Sequence, residues 1–127
     1  MSEETKPLIL IIDRRLSTLD SLDALLRREG YRVTLCSSSP EALKAIAGQK
    51  QELVIVGRTG AEHDEAILVS RIKTLSPETN VLLLIEAKDE SAVAAAIAAG
   101  VDGLLRRSYS DSQVIQRVER LIHAVRA

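Results

Sequence analysis

The sequence has no phenylalanine and no tryptophan, and its only aromatics are Tyr31 and Tyr109. Any core built from it must be aliphatic, drawn from the Leu, Ile, Val and Ala that dominate a 46% hydrophobic fraction. An excess of either charge is missing too: 17 Lys and Arg stand against 18 Asp and Glu. A domain that grips nucleic acid by itself carries a basic excess and usually stacking aromatics, so direct nucleic-acid binding is not expected. No apolar run approaches the roughly 18 residues that would cross a membrane. The start, Met1 to Pro7, is polar and acidic, unlike a secretory signal. A single cysteine, Cys36, excludes an internal disulfide, which fits the cytoplasm. At a strand end it reads as a small apolar residue, not a redox group.

Catalytic and cofactor signatures are also lacking. There is no Ser-His-Asp arrangement and no pair of catalytic carboxylates. His63 and His123 have no partner at metal-ligand spacing. Gly57-Arg58-Thr59-Gly60 has glycine but not the loop-lysine-helix context of a nucleotide site. Neither an enzyme nor a cofactor is expected.

At 127 residues the chain fits one domain, 1–127, with 1–7 expected as a flexible arm. Five aliphatic runs alternate with five helical patterns. The runs are Leu8–Ile12, Arg32–Cys36, Leu53–Val56, Val81–Ile85 and Gly103–Leu105. The first, third and fourth are apolar on consecutive residues, as in strands of a parallel sheet covered on both faces. The second alternates, as at an edge. Leu19, Leu22, Leu25 and Leu26 share a helical face that Gly30 terminates. Ser39 before Pro40 reads as an N-cap opening a helix to about Gly48. Ile67, Leu68, Ile72 and Leu75 mark a third inward face, ended before Pro77. An alanine-rich helix runs from about Asp89 to Ala99 and stops at Gly100. A capping box, Ser110 with Gln113, opens the last helix, which should bury Val114, Ile115, Val118, Leu121, Ile122 and Val125. Strict alternation with short links predicts a doubly wound, three-layer α/β sandwich.

From Leu8 to about Val125 the chain resembles the receiver domains of two-component response regulators. The resemblance rests on the Ile-Leu-Ile-Ile-Asp strand, the Gly30-Tyr31 entry to strand two and the Ser-Ser-Pro-Glu-Ala-Leu helix start. It rests also on Ala98 to Leu105, Ala-Ala-Gly-Val-Asp-Gly-Leu-Leu. It implies a flavodoxin-like (βα)5 fold, a parallel five-stranded sheet of order 2-1-3-4-5 and a crevice at the carboxyl ends of strands one and three. In that family two acids and an acceptor aspartate hold magnesium, while a Thr or Ser and a Lys before a cis-proline hold the phosphoryl group. At those positions this chain has Asp13, Arg14, Gly57, Glu86 and Arg107, the last followed by Ser108-Tyr109. Glycine cannot form an acyl phosphate. Arg14 removes an acid from a metal that needs several oxygen ligands near about 2 Å. The resemblance thus implies a receiver with a degenerate phosphorylation site and no metal.

Three readings of the crevice charges, Asp13, Arg14, Arg58, Glu86 and Arg107, stand side by side. One is an ion-pair cluster in which Arg107 bridges Asp13 or Glu86 and Arg14 compensates the other. Another is a set of solvated loop-end charges, worth about 0–1 kcal/mol each. The third is an anion site. Asp64 reads as a helix N-cap, with a substitute acceptor, Asp64 or Asp13, as the alternative. Leu104 and Leu105 replace the family's switch aromatic, and Tyr109 matches its usual packing aromatic. The resemblance implies a cytoplasmic signalling module whose partner is a histidine kinase, an output domain or another signalling protein. It also implies a homodimer face on helix four, strand five and helix five, with Asp102, Tyr109 and Arg117 upon it.

Overall fold

A computed structural model describes residues 6–60, 64–86 and 88–124. The elements are β1 (Leu8–Ile12), α1 (Leu16–Arg28), β2 (Arg32–Cys36), α2 (Ser39–Gly48) and β3 (Leu53–Val56). They continue as α3 (Asp64–Leu75), β4 (Asn80–Ile85), α4 (Glu90–Ala99), β5 (Gly103–Arg106) and α5 (Asp111–Ala124). All strand pairings are parallel and the order is β2-β1-β3-β4-β5. This is the flavodoxin-like arrangement expected from the sequence.

The consecutive apolar residues of β1, β3 and β4 feed two cores. Ile9, Ile11, Leu53, Ile55, Leu82 and Leu84 pack under α1 and α5. Leu10, Ile12, Val54, Val56, Val81, Leu83 and Ile85 pack under α2, α3 and α4. The period-2 alternation of strand side chains sends neighbours to opposite layers.

Both sheet edges are capped in the same way. Arg32 N–H donates to the Pro7 carbonyl and Asp13 N–H to the Cys36 carbonyl, so residues 32, 34 and 36 face β1. The Val33 carbonyl therefore points off the edge, where Arg27 of α1 donates to it at 2.9 Å. At the other edge, Arg117 of α5 donates to the Leu104 carbonyl. These guanidinium groups occupy outward carbonyls that another strand would otherwise pair with.

Local signals account for most boundaries. Gly30 and Gly100 adopt positive φ, 93° and 96°, after α1 and α4. Asp89 caps α4 by accepting from Ala92 N–H at 3.0 Å. The capping box of α5 is reciprocal: Gln113 N–H donates to Ser110 Oγ, and Ser110 N–H to Gln113 Oε1.

Three expectations are corrected. The cap of α2 is Ser38, whose Oγ accepts from Glu41 N–H, so Ser39 is the first helical residue. The buried face of α3 is Leu68, Val69 and Ile72, while Ile67 and Leu75 are 55% and 48% exposed. One residue along a helix turns a side chain about 100° away, which carries Ile67 off that face. Lys6 and Pro7, expected in a flexible arm, are tied to β2: Arg32 donates to the carbonyls of both. In α4 only Ala96 is buried, and Ile97 is 63% exposed. Residues 1–5, His63 and Val125 lie outside the described residues.

Candidate functional site

Parallel strands all end on one side, so the segments after β1, β3, β4 and β5 converge. Pairing of β1 with β3 continues past the strands: Gly57 N–H donates to the Ile12 carbonyl at 2.7 Å and Arg14 N–H to the Arg58 carbonyl at 2.8 Å. That extension sets Asp13 directly beside Gly57.

Asp13 is fully buried. Its Oδ1 accepts from Arg15 N–H at 2.7 Å. Its Oδ2 accepts from Arg58 N–H at 3.2 Å and from Arg107 Nη2 at 2.9 Å. Three nitrogen donors therefore satisfy a carboxylate that burial would otherwise penalise heavily. A Cβ built on Gly57 would lie 2.8 Å from Asp13 Cγ and 3.1 Å from Asp13 Cβ, and closer still to Oδ2. The Asp13 carboxylate thus fills the space into which a side chain at position 57 would project.

Arg107 is the hub. Its Nη2 binds Asp13 while its Nε lies 3.1 Å from Glu86 Oε1. Arg58 Nη1 stands 3.7 Å from the same oxygen. Arg107 therefore bridges both carboxylates rather than one. The second arginine of the cluster is Arg58, and Arg14 is exposed with no ion pair among the described residues. The halves differ in weight. Glu86 is half-exposed, so its pairs are worth about 0–1 kcal/mol. The Arg107–Asp13 pair is enclosed, and breaking one side of such a pair costs several-fold more.

After Arg107 the chain turns through Ser108, the only non-glycine residue of positive φ among the described residues, at 74°. No cis peptide bond occurs among them. Tyr109 then packs against the α1–α5 core. Burial raises its phenol pKa above the usual value, Arg107 pulls it back and Asp13 adds a smaller upward push.

The remaining candidates lie elsewhere. Asp102 Oδ2 accepts from Val81 N–H at 2.8 Å and from Lys73 Nζ at 3.0 Å, tying α3, β4 and the entry to β5 together. Arg117 holds the Leu104 carbonyl. Two of the three residues expected at a dimer face thus have partners within the chain. Asp64 is the exposed first residue of α3, beside Gly60. His123 is exposed in the last turn of α5. Among the described residues no three His, Cys, Asp or Glu form a metal-ligating group, and no helix is long and apolar enough to cross a membrane. No sequence signal marks the backbone N–H groups of Arg15 and Arg58 as partners of Asp13, because that depends on where β3 ends.

The strand order and a charged crevice at the switch point between β1 and β3 place the chain among doubly wound, flavodoxin-like α/β proteins. The family of response regulator receiver domains matches residues 9–119. The chain belongs to that family and is a receiver domain of a two-component response regulator. Among curated relatives, the transcriptional regulatory protein ZraR of Klebsiella oxytoca is 31% identical over 116 residues, 91% of this chain and 26% of that protein. ZraR of Escherichia coli (strain K12) is 34% identical over 99 residues, 77% of this chain and 22% of that protein. The chain spans about a quarter of the length of these relatives. Among solved structures, a CheY-like receiver domain protein from Methanospirillum hungatei JF-1 superposes with a TM-score of 0.90 at 18% identity, covering 96% of this chain and 98% of that one. NtrX from Brucella abortus gives 0.88 at 22% identity, over 96% of this chain and 28% of that one. These two likenesses speak for the fold.

Proposed function

We propose that this receiver domain signals without phosphorylation at the usual position, as a protein-interaction or regulatory module with a degenerate phosphorylation site. The observation that carries the reading is the occupied acceptor space. Gly57 supplies no carboxylate, and Asp13 fills the adjoining volume with both oxygens engaged by nitrogen donors. The residues do not fit a magnesium ion. The buried carboxylate faces an arginine, Arg14 replaces the second acid, and Gly57 offers no ligand. Arg107 holds the ends of β1, β4 and β5 together in the way a bound phosphoryl group and a lysine would, but permanently.

The partner class is a histidine kinase, an output domain or another signalling protein, in the cytoplasm, and α4, β5 and α5 form the surface for a homodimer. With Arg107 held by two carboxylates, the crevice does not present three open arginines to an anionic ligand. Asp13 is too enclosed to act as a substitute nucleophile, which leaves exposed Asp64 as the alternative acceptor.

Intact-mass measurement after acetyl phosphate and magnesium, and thermal unfolding with beryllofluoride and magnesium, test the reading. The expected result is an unmodified mass and an unchanged midpoint. A stoichiometric acid-labile adduct on Asp64 or Asp13 overturns it.

A further inference from the structure

A cavity of about 270 Å³ opens from the charged crevice, sharing Arg58, Glu86 and Arg107 with it, and runs between the end of β4, the first turns of α3 and the inner side of α4. Its origin is compositional. Where α4 packs along α3, the wall is made by Ala66, Ala92 and Ala95, side chains too short to close the gap. The cavity therefore has an apolar floor.

The mouth carries both signs of charge. Arg107 is committed to Asp13 and Glu86. Arg58 is not: its guanidinium only approaches Glu86, at 3.7 Å, and makes no side-chain hydrogen bond among the described residues. That planar fork is open to a carboxylate. Glu65 accepts from the Thr59 hydroxyl on Oε2 at 3.1 Å, and its Oε1 has no hydrogen-bond partner among the described residues. That oxygen is open to an ammonium group.

We propose that this cavity binds a free aliphatic α-amino acid. Its carboxylate pairs with Arg58, its ammonium with Glu65, and its side chain lies on Ala66, Ala92 and Ala95. The volume falls just below the roughly 300–1,000 Å³ of ordinary ligand pockets, which suits one small metabolite. A simple anion meets the carboxylates of the mouth, and a simple cation leaves the Arg58 fork unused, whereas a zwitterion answers both. Occupancy would join α3 to the start of α4, next to the cluster that fixes the crevice. The inference goes beyond phosphorylation-independent signalling and does not rest on it, since no ligand contact involves Gly57 or Asp13.

The test is titration calorimetry and thermal unfolding of the whole chain with leucine, valine and methionine. The controls are 3-methylbutylamine and 4-methylpentanoate, which each keep one charged group of leucine. At least one amino acid is expected to bind and raise the unfolding midpoint, with both controls weaker by about tenfold or more, the value of one charge-assisted hydrogen bond. Arg58→Gln should weaken the amino acid by a similar factor and leave the amine control unchanged. Ala95→Leu, which fills the floor, should abolish binding in a protein of unchanged circular dichroism. Ala92→Leu replaces it if that variant does not fold. Failure of all three amino acids to bind at millimolar concentration overturns the proposal. So does equal binding of either control, or undiminished binding in the filled variant.

Discussion

Replacing Gly57 with alanine adds one methyl group to a fully buried backbone position, with a cost far beyond that of a methyl. The new Cβ would stand 2.8 Å from Asp13 Cγ and 3.1 Å from Asp13 Cβ, where non-bonded carbons prefer about 3.5–4.0 Å. Asp13 is a short side chain on a paired strand end and can escape only by rotating its carboxylate. Rotation surrenders the Arg58 N–H bond and the Arg107 guanidinium bond. Hydrogen bonds to charged groups are worth about 1.5–3 kcal/mol each, and separating an enclosed ion pair costs about 3–5 kcal/mol. Gly57→Ala is therefore expected to destabilise by about 3–5 kcal/mol, a large share of the roughly 5–15 kcal/mol that holds a domain folded. Asp13→Ala is also costly, because it strands Arg107 and two backbone donors. In the double variant the methyl group enters the space the carboxylate has left. The two losses should then fall short of additivity by about 1–3 kcal/mol. Urea unfolding of the four proteins, with unchanged slope m, measures this coupling. A Gly57→Ala protein within about 0.5 kcal/mol of wild type, or a coupling of zero, would refute the claim that Asp13 occupies the acceptor space.

Arg107→Ala should cost about 3–5 kcal/mol by stripping Asp13 of its guanidinium, and Glu86→Gln in that background should return part of it; if each variant unfolds like wild type, the crevice charges are merely solvated. Ser108→Gly should stabilise by about 1 kcal/mol, since glycine accepts a φ of 74° without strain, and Ser108→Pro should destabilise because proline fixes φ near −65°; no gain from glycine would mean the turn is unstrained in solution. Burial, then the neighbouring Glu41, pushes the buried Cys36 thiol up to about 11. A pKa raised in the fold favours the neutral thiol there. Its contribution is full below the unfolded value near 9 and is lost as pH climbs through 11. Urea midpoints of wild type should fall more steeply over that window than those of Cys36→Ala; parallel curves would show that the thiol does not titrate there.

Much of the scaffold is local and could be read directly. The consecutive aliphatics of β1, β3 and β4 declare strands covered on both sides, and the Ser110–Gln113 box and Gly100 mark helix ends because each acts within a few residues. The glycine at position 57 is legible in the same way, since it directly follows the apolar run of β3. Legibility fades where direction matters. The apolar residues of α3 lie on several sides and fit more than one buried face, and the fold leaves Ile67 and Leu75 outside the one it uses. Arg14 was expected in the cluster because it adjoins Asp13, but Arg58, 45 residues from Asp13, takes that place.

The sequence by itself determined the aliphatic core, the strand–helix alternation and the glycine that ends β3, because all three are carried by residue type and short-range spacing. Only the tertiary structure decided what fills the space beside that glycine. Asp13 meets a guanidinium 94 residues away and a backbone N–H 45 residues away. Those distances collapse only when β1 pairs with β3 and β4 with β5, and the carboxylate enters the glycine's space because the sheet register puts it there.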